Sequence, residues 1–199
     1  MFRSKKNQLR LKRRIVMDKS SFQVVAKWDR CTGCRLCELA CTKFHFGIIN
    51  PELSRIRIYT VHPGPMNIPM LCSHCSDTPC VNACPTGALH TDEGSYVIKV
   101  DVKKCLGSKC GLCARACREE RSGVVKFFPP HHDYPLICDK CDGDPQCVSV
   151  CPFGTIEKVI HQIVDGRWFA DPLERIAEDL AQRWLPATKE RVKLPSMEK

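Results

Sequence analysis

Sixteen cysteines stand in four quartets, and none lies outside them: Cys31, Cys34, Cys37 and Cys41; Cys72, Cys75, Cys80 and Cys84; Cys105, Cys110, Cys113 and Cys117; Cys138, Cys141, Cys147 and Cys151. Thiolate is the soft ligand that holds iron in iron–sulfur clusters. Each quartet closes within 11 to 14 residues on a C-x3-C step. Three cysteines crowd one loop, which suits three corners of a cubane whose fourth ligand comes from elsewhere. Paired C-x2-C motifs also build tetrahedral zinc sites, but these usually separate their two pairs by a long stretch. The spacing therefore favours iron–sulfur over zinc.

The first quartet is C-x2-C-x2-C-x3-C, the run found in bacterial ferredoxins, where the fourth cysteine serves the other cluster of a pair. The second is C-x2-C-x4-C-x3-C, the third C-x4-C-x2-C-x3-C and the fourth C-x2-C-x5-C-x3-C. Extra residues lengthen the loop but keep the closing step, so four clusters are expected. First cysteines recur at offsets of 41, 33 and 33 residues, a four-unit repeat. Units two and four share C-P-x-G-small-aliphatic after the last cysteine, as Cys84-Pro85 and Cys151-Pro152, whereas Thr42 and Arg118 follow Cys41 and Cys117.

These loops need elements to hold them. Short β-like segments are expected at Phe22–Val25, Ile56–Tyr59, Tyr96–Val100 and Val124–Phe128. Each C-x3-C step fits the first turn of a helix, whose N-terminal amides favour an anionic group. The stretch from Thr42 to Leu71 reads as a surface insertion that packs on a partner or covers a cluster. Asp171 to Leu185 reads as an amphipathic helix capped by Asp171, with Leu173, Ile176, Ala177, Leu180, Ala181, Trp184 and Leu185 on one face. That stripe is expected to pack on the same chain, the alternative being an anchor for a larger subunit. The expected divisions are a basic tail over 1–20, a cluster region over 21–160 and a helical extension over 161–199.

Cysteine makes up about 8% of 199 residues that are 43% hydrophobic, so metal groups must act as much of the core. A secreted disulfide framework would call for a signal peptide. The first twenty residues instead carry eight basic side chains against Asp18, with no apolar run of signal-sequence length, and hold most of the formal +9 charge. A cytoplasmic chain with no transmembrane helix is expected. The tail is a disordered or spurious extension, or attracts an anionic surface; without interleaved aromatics, nucleic acid is not expected as a partner. His74, inside quartet two, is expected beside sulfur rather than as a ligand. His131-His132 reads as an exposed loop pair, and Trp168, Phe169 and Trp184 as packing residues. No dinucleotide fingerprint, phosphate loop or matched nucleophile and base is present.

From Val24 to Ile160 the chain resembles the four-cluster ferredoxin-type electron-transfer subunits of multi-subunit oxidoreductases. These accompany molybdenum and tungsten pterin enzymes, formate- and hydrogen-linked complexes and carbon monoxide dehydrogenase. The resemblance is carried by the run from Cys31 to Cys41, by Cys72-Ser-His-Cys-Ser-Asp-Thr-Pro-Cys80 with Cys84-Pro85, and by Cys138-Asp-Lys-Cys-Asp-Gly-Asp-Pro-Gln-Cys147 with Cys151-Pro152. The fourth quartet and Asn50–Ile58 look most like small subunits paired with tungsten aldehyde oxidoreductase-type enzymes.

This resemblance implies an α+β fold of two ferredoxin-like dicluster halves, the second nested in the first, with the C-terminal helix appended. It also implies crossed ligation of four 4Fe-4S clusters. Cys31, Cys34 and Cys37 would share one with Cys151, and Cys138, Cys141 and Cys147 one with Cys41. Cys72, Cys75 and Cys80 would be completed by Cys117, and Cys105, Cys110 and Cys113 by Cys84. The implied role is a non-catalytic conduit between a larger catalytic subunit, of tungsten or molybdenum pterin type, and a second redox partner. The alternatives are a free soluble polyferredoxin, a subunit of a hydrogenase, formate or carbon monoxide dehydrogenase complex, and a regulatory or structural cluster protein.

Overall fold

Short strands cannot bury a face alone, and among the described residues they pair into four separate antiparallel ribbons. A computed structural model describes residues 22–61, 66–93, 95–129, 131–160 and 172–184. The strands are β1 (Phe22–Ala26), β2 (Ile56–Val61), β3 (Met66–Leu71), β4 (Leu89–Thr91), β5 (Ile98–Val100), β6 (Lys126–Phe128), β7 (His132–Leu136) and β8 (Ile156–Ile160). The helices are α1 (Leu36–Phe46), α2 (Pro79–Asn82), α3 (Leu112–Glu120), α4 (Gln146–Ser149) and α5 (Leu173–Trp184). The fold is α+β.

Strand β1 pairs with β8, from Phe22 opposite Ile160 to Ala26 opposite Ile156, which brings the first and fourth units side by side. The other ribbons are β2–β3, β4–β5 and β6–β7. Helix α1 packs on α4, and α2 on α3. Two apolar cores result. One gathers Phe22, Val24, Ile56, Ile58 and Ile156 with the thiols Cys37, Cys41 and Cys147; the other is built on Val61, Met66, Ile68, Leu89 and Ile98 with Cys72, Cys80, Cys113 and Cys117.

The stretch expected to be a surface insertion divides: Phe44, Ile48 and Ile49 are exposed, and the later part is core. It ends in the β2–β3 hairpin, where Val61 and Ile68 are fully buried, and Leu53 just before it is buried as well. Helix α5 lies on β3. Its Leu173, Ile176, Ala177 and Leu180 are each no more than 2% exposed, so the stripe packs on the same chain, at the i, i+3, i+4, i+7 spacing of one helix face. Asp171, Leu185, Trp168, Phe169 and the basic tail lie outside the described residues. Among the described residues no helix is long and apolar enough to cross a membrane.

One buried carboxylate ties α1 to the hairpin. Ile58 faces Pro69 across the ribbon, and its N–H is donated to Glu38 Oε1 at 2.8 Å. Glu38 is itself buried and pairs with Arg35 at 3.7 Å. The helix carrying Cys37 and Cys41 is thereby held against β2.

Candidate metal centres

Helices set the closing cysteines. Cys37 and Cys41 lie in α1, and Cys113 and Cys117 in α3. In units two and four the helices last one turn, hold Cys80 and Cys147, and stop before Cys84 and Cys151. Pro85 and Pro152 follow at once, and proline both lacks an N–H and restricts the residue before it, so the helix cannot continue.

Because α1 meets α4 and α2 meets α3, the last cysteine of each quartet comes to lie with the first three of another. One pocket is lined by Cys31, Cys34, Cys37 and Cys151, with Ile58 and Phe153 in its wall. A second is lined by Cys72, Cys75, Cys80 and Cys117, with Ile98 and Val125. A third is lined by Cys84, Cys105, Cys110 and Cys113, with Leu89 and Leu106. Their empty volumes, counted out to the open mouth, are about 320, 300 and 290 Å³. Three pockets with the same donor set of four thiols fit one kind of guest. The remaining thiols also gather: the charge of Cys41 acts on Cys138, Cys141 and Cys147.

Burial grades the four sites. Three of the four cysteines are buried in the set containing Cys72 and in the set containing Cys138, whereas only Cys37 and Cys113 are buried in the other two. The latter are the outer sites. Cys34 is exposed, and Phe153 and Leu106, in the walls of the outer pockets, are more than half exposed.

Backbone amides point at the sulfurs. His74 N–H donates to Cys72 Sγ at 3.4 Å, Gly107 to Cys105 at 3.5 Å, Lys140 to Cys138 at 3.4 Å, Arg55 to Cys41 at 3.4 Å and Thr155 to Cys151 at 3.3 Å. Such bonds stabilise the ionised thiolate. At Cys84 and Cys151 burial opposes ionisation, but several amides, Leu89 and Ile156 foremost, outweigh it and hold both thiols below their ordinary range. At seven others burial dominates. It pushes Cys37, Cys80 and Cys138 up to about 12 and Cys113 and Cys141 up to about 11, and it raises Cys72 and Cys147 as well.

Neighbouring thiols add to that rise, so these groups cannot ionise together without a cation between them. A metal supplies that charge and displaces the protons. Four soft donors, apolar walls and amides aimed at sulfur fit a thiolate-held iron–sulfur cluster.

Loop geometry carries a cost. Gly33 and Gly107 have φ of 74° and 77°. A Cβ on Gly33 would sit 2.6 Å from the Asn67 side-chain oxygen, and one on Gly107 would run into the Asp133 carboxylate, which accepts the Ser108 N–H at 2.6 Å. Gly107→Ala is expected to lower the stability of the loaded protein by about 1–3 kcal/mol through the strained backbone and the clash. Denaturant unfolding measures it, and an unchanged midpoint would refute it. In the fourth loop Lys140, Cys141 and Asp142 are all at positive φ without glycine's freedom, a strain kept where the chain must bend around its sulfurs.

Some residues near the sulfurs escape a reading of spacing. His45 Nε2 lies 3.7 Å from Cys141 Sγ and 3.4 Å from Asp139 Oδ1, and Asp139 also pairs with Arg55. The sequence's only signal for His45 is its place one turn beyond Cys41 on the same helix. His74 is buried, as its position beside sulfur predicts, with Nδ1 accepting the Ile98 N–H at 3.1 Å. His132, expected in an exposed loop, instead sits half-buried in β7, its ring 4.6 Å from that of Phe46. Trp184 is 43% exposed.

No protein-family model matches the chain. The polyferredoxin-like subunit of aliphatic sulfonate oxidoreductase from Pyrococcus furiosus is 47% identical over 123 residues, 62% of this chain and 67% of that protein. The electron transfer subunit of thiosulfate reductase from Salmonella typhi is 32% identical over 141 residues, 62% of this chain and 67% of the relative. The beta subunit of NADH-dependent phenylglyoxylate dehydrogenase from Aromatoleum evansii is 36% identical over 133 residues, but the match spans only 28% of its length.

Proposed function

Since the chain belongs to the family of iron–sulfur electron-transfer subunits of oxidoreductases, we propose that its sixteen cysteines hold four 4Fe-4S clusters in crossed sets. The sets are Cys31, Cys34, Cys37 with Cys151; Cys138, Cys141, Cys147 with Cys41; Cys72, Cys75, Cys80 with Cys117; and Cys105, Cys110, Cys113 with Cys84. Three cavities lined by four cysteines apiece carry this reading. Each cluster, when bound, takes up and gives back one electron. The β1–β8 and α1–α4 contacts support one ferredoxin-like half made from units one and four, and the α2–α3 contact supports a second half nested within it.

The chain's own groups order the relay. Charge coupling links Cys147 to Cys37, Cys72 to Cys138, and Cys80 to Cys113, so the four sets are neighbours in sequence from one outer site through both inner sites to the other. The cysteines of the inner sets are more deeply buried than those of the outer ones, while exposed Phe153 and Leu106 at the outer ones offer contact surface where partners would dock. One partner is a catalytic subunit of tungsten or molybdenum pterin type and the other a second redox protein, in the cytoplasm. Substrate chemistry belongs to the catalytic partner.

Iron and acid-labile sulfide assays on anaerobically purified chain are expected to give about sixteen of each per chain, four per thiolate set. A value near four contradicts the four-cluster reading. Purification without any larger subunit, at full iron content, would favour a free polyferredoxin.

A further inference from the structure

The residue two places after the first cysteine plays the same backbone role in all four loops. Gly33, His74, Gly107 and Lys140 have φ of 74°, 49°, 77° and 61°, and each donates its N–H toward that cysteine's sulfur. The outer loops use glycine there, the residue that tolerates this conformation. The inner loops place a histidine and a lysine against that preference, and both side chains are buried, 5% and 4% exposed.

Lysine is seldom buried without a partner. Lys140 Nζ donates to the Phe22 carbonyl at 2.6 Å and lies 5.4 Å from the Phe22 ring centroid, yet it pairs with no carboxylate among the described residues. Adjacent Asp139 is taken by Arg55 and His45. Burial works against the Lys140 charge, and the groups of opposite charge that favour it are Cys138 and Cys72, the first thiols of the two inner sets. Those two thiols also act on each other, so the ammonium stands where the inner sites meet. His74, within reach of the Lys140 charge, adds no second one. Its Nδ1 accepts from Ile98, which places the ring proton on Nε2, a buried atom with no partner among the described residues.

We propose that Lys140 is a built-in cation shared by the two inner cluster sites, raising the reduction potentials of both above what their burial alone would set. Burial in apolar surroundings disfavours the extra negative charge of the reduced state, and a fixed ammonium offsets that. The inner pair then holds an electron readily instead of standing as a barrier between the outer sites. Lys140 is a positioning charge and makes no bond to substrate or partner.

The inference rests on the four-cluster reading, and the test separates the two. Full-length chain is purified anaerobically, its iron counted, and its couples titrated by electron paramagnetic resonance. Lys140→Gln, which keeps a donor for the Phe22 carbonyl, is expected to lower two of the four couples at least tenfold in reduction equilibrium constant, about 59 mV for a one-electron step, leaving the other two in place. Lys140→Arg keeps the charge and should keep wild-type potentials. Full iron with all four couples unmoved, or all four shifted alike, overturns the proposal. Should Lys140→Gln lose iron, Lys140→Arg decides: full iron at wild-type potentials supports a required charge, and loss in both makes the residue mere packing and sinks the idea. Wild-type iron near four per chain would defeat the underlying reading instead.

Discussion

Removing the iron with a chelator, under reducing conditions that keep the thiols free, is expected to unfold the chain and not merely bleach it. Among the described residues every ribbon has only two strands, and an isolated pair of strands is marginal in water. Helices α2 and α4 are single turns, and α5, twelve residues long, is near the limit for an isolated helix. Thiols complete both cores, Cys37, Cys41 and Cys147 in one and Cys72, Cys80, Cys113 and Cys117 in the other. Without metal these cores would close around cavities lined by polar sulfur. A structural zinc in a zinc-finger peptide contributes about 10–16 kcal/mol, so even one thiolate-held metal site of that order matches the stability of a whole domain, about 5–15 kcal/mol. Losing several sites at once therefore exceeds the net stability. Far-ultraviolet circular dichroism should lose most of its signal, with no cooperative melt. A cooperative transition at unchanged Tm in iron-free protein would refute this.

What the sequence made legible is what is local. The quartets and the apolar stripe of α5 are fixed by spacing over a few residues, and the C-x3-C steps of units one and three lie on helices as spacing predicts, but in units two and four the helix ends before Cys84 and Cys151. Strand boundaries are less legible. Residue pattern puts Tyr96 at the start of a strand, but its φ of 56° bars extended backbone and β5 starts at Ile98. Strands β3 and β7 contain Pro69 and Pro135, which argue against a strand unless a partner fixes the geometry, as β2 and β6 do. Lys140 and His45 are invisible for another reason. A lysine reads as surface, and strand β1, from 118 residues away in the chain, holds its ammonium. Burial of that kind is a tertiary fact with no local signature.

Cys37 and Cys41 provide the sharpest test of crossed ligation, because they sit one turn apart on the same face of α1 yet are assigned to different clusters. Cys37 lines the pocket of Cys31, Cys34 and Cys151. Cys41 points the other way in function. Its charge acts on Cys138, Cys141 and Cys147, and one turn further along α1 His45 touches the Cys141 sulfur. Cys41→Ala is therefore expected to alter the same paramagnetic signal as Cys141→Ala, and Cys37→Ala the same signal as Cys151→Ala. Each variant should lose about one to four irons of the roughly sixteen, depending on whether a three-iron remnant survives with one thiolate missing. No absolute assignment is needed, since the result lies in which variants share a signal. If Cys41→Ala instead disturbed the signal that Cys37→Ala disturbs, each quartet would serve its own cluster. Helix α1 would then be an ordinary ligand helix instead of the wall between two sites.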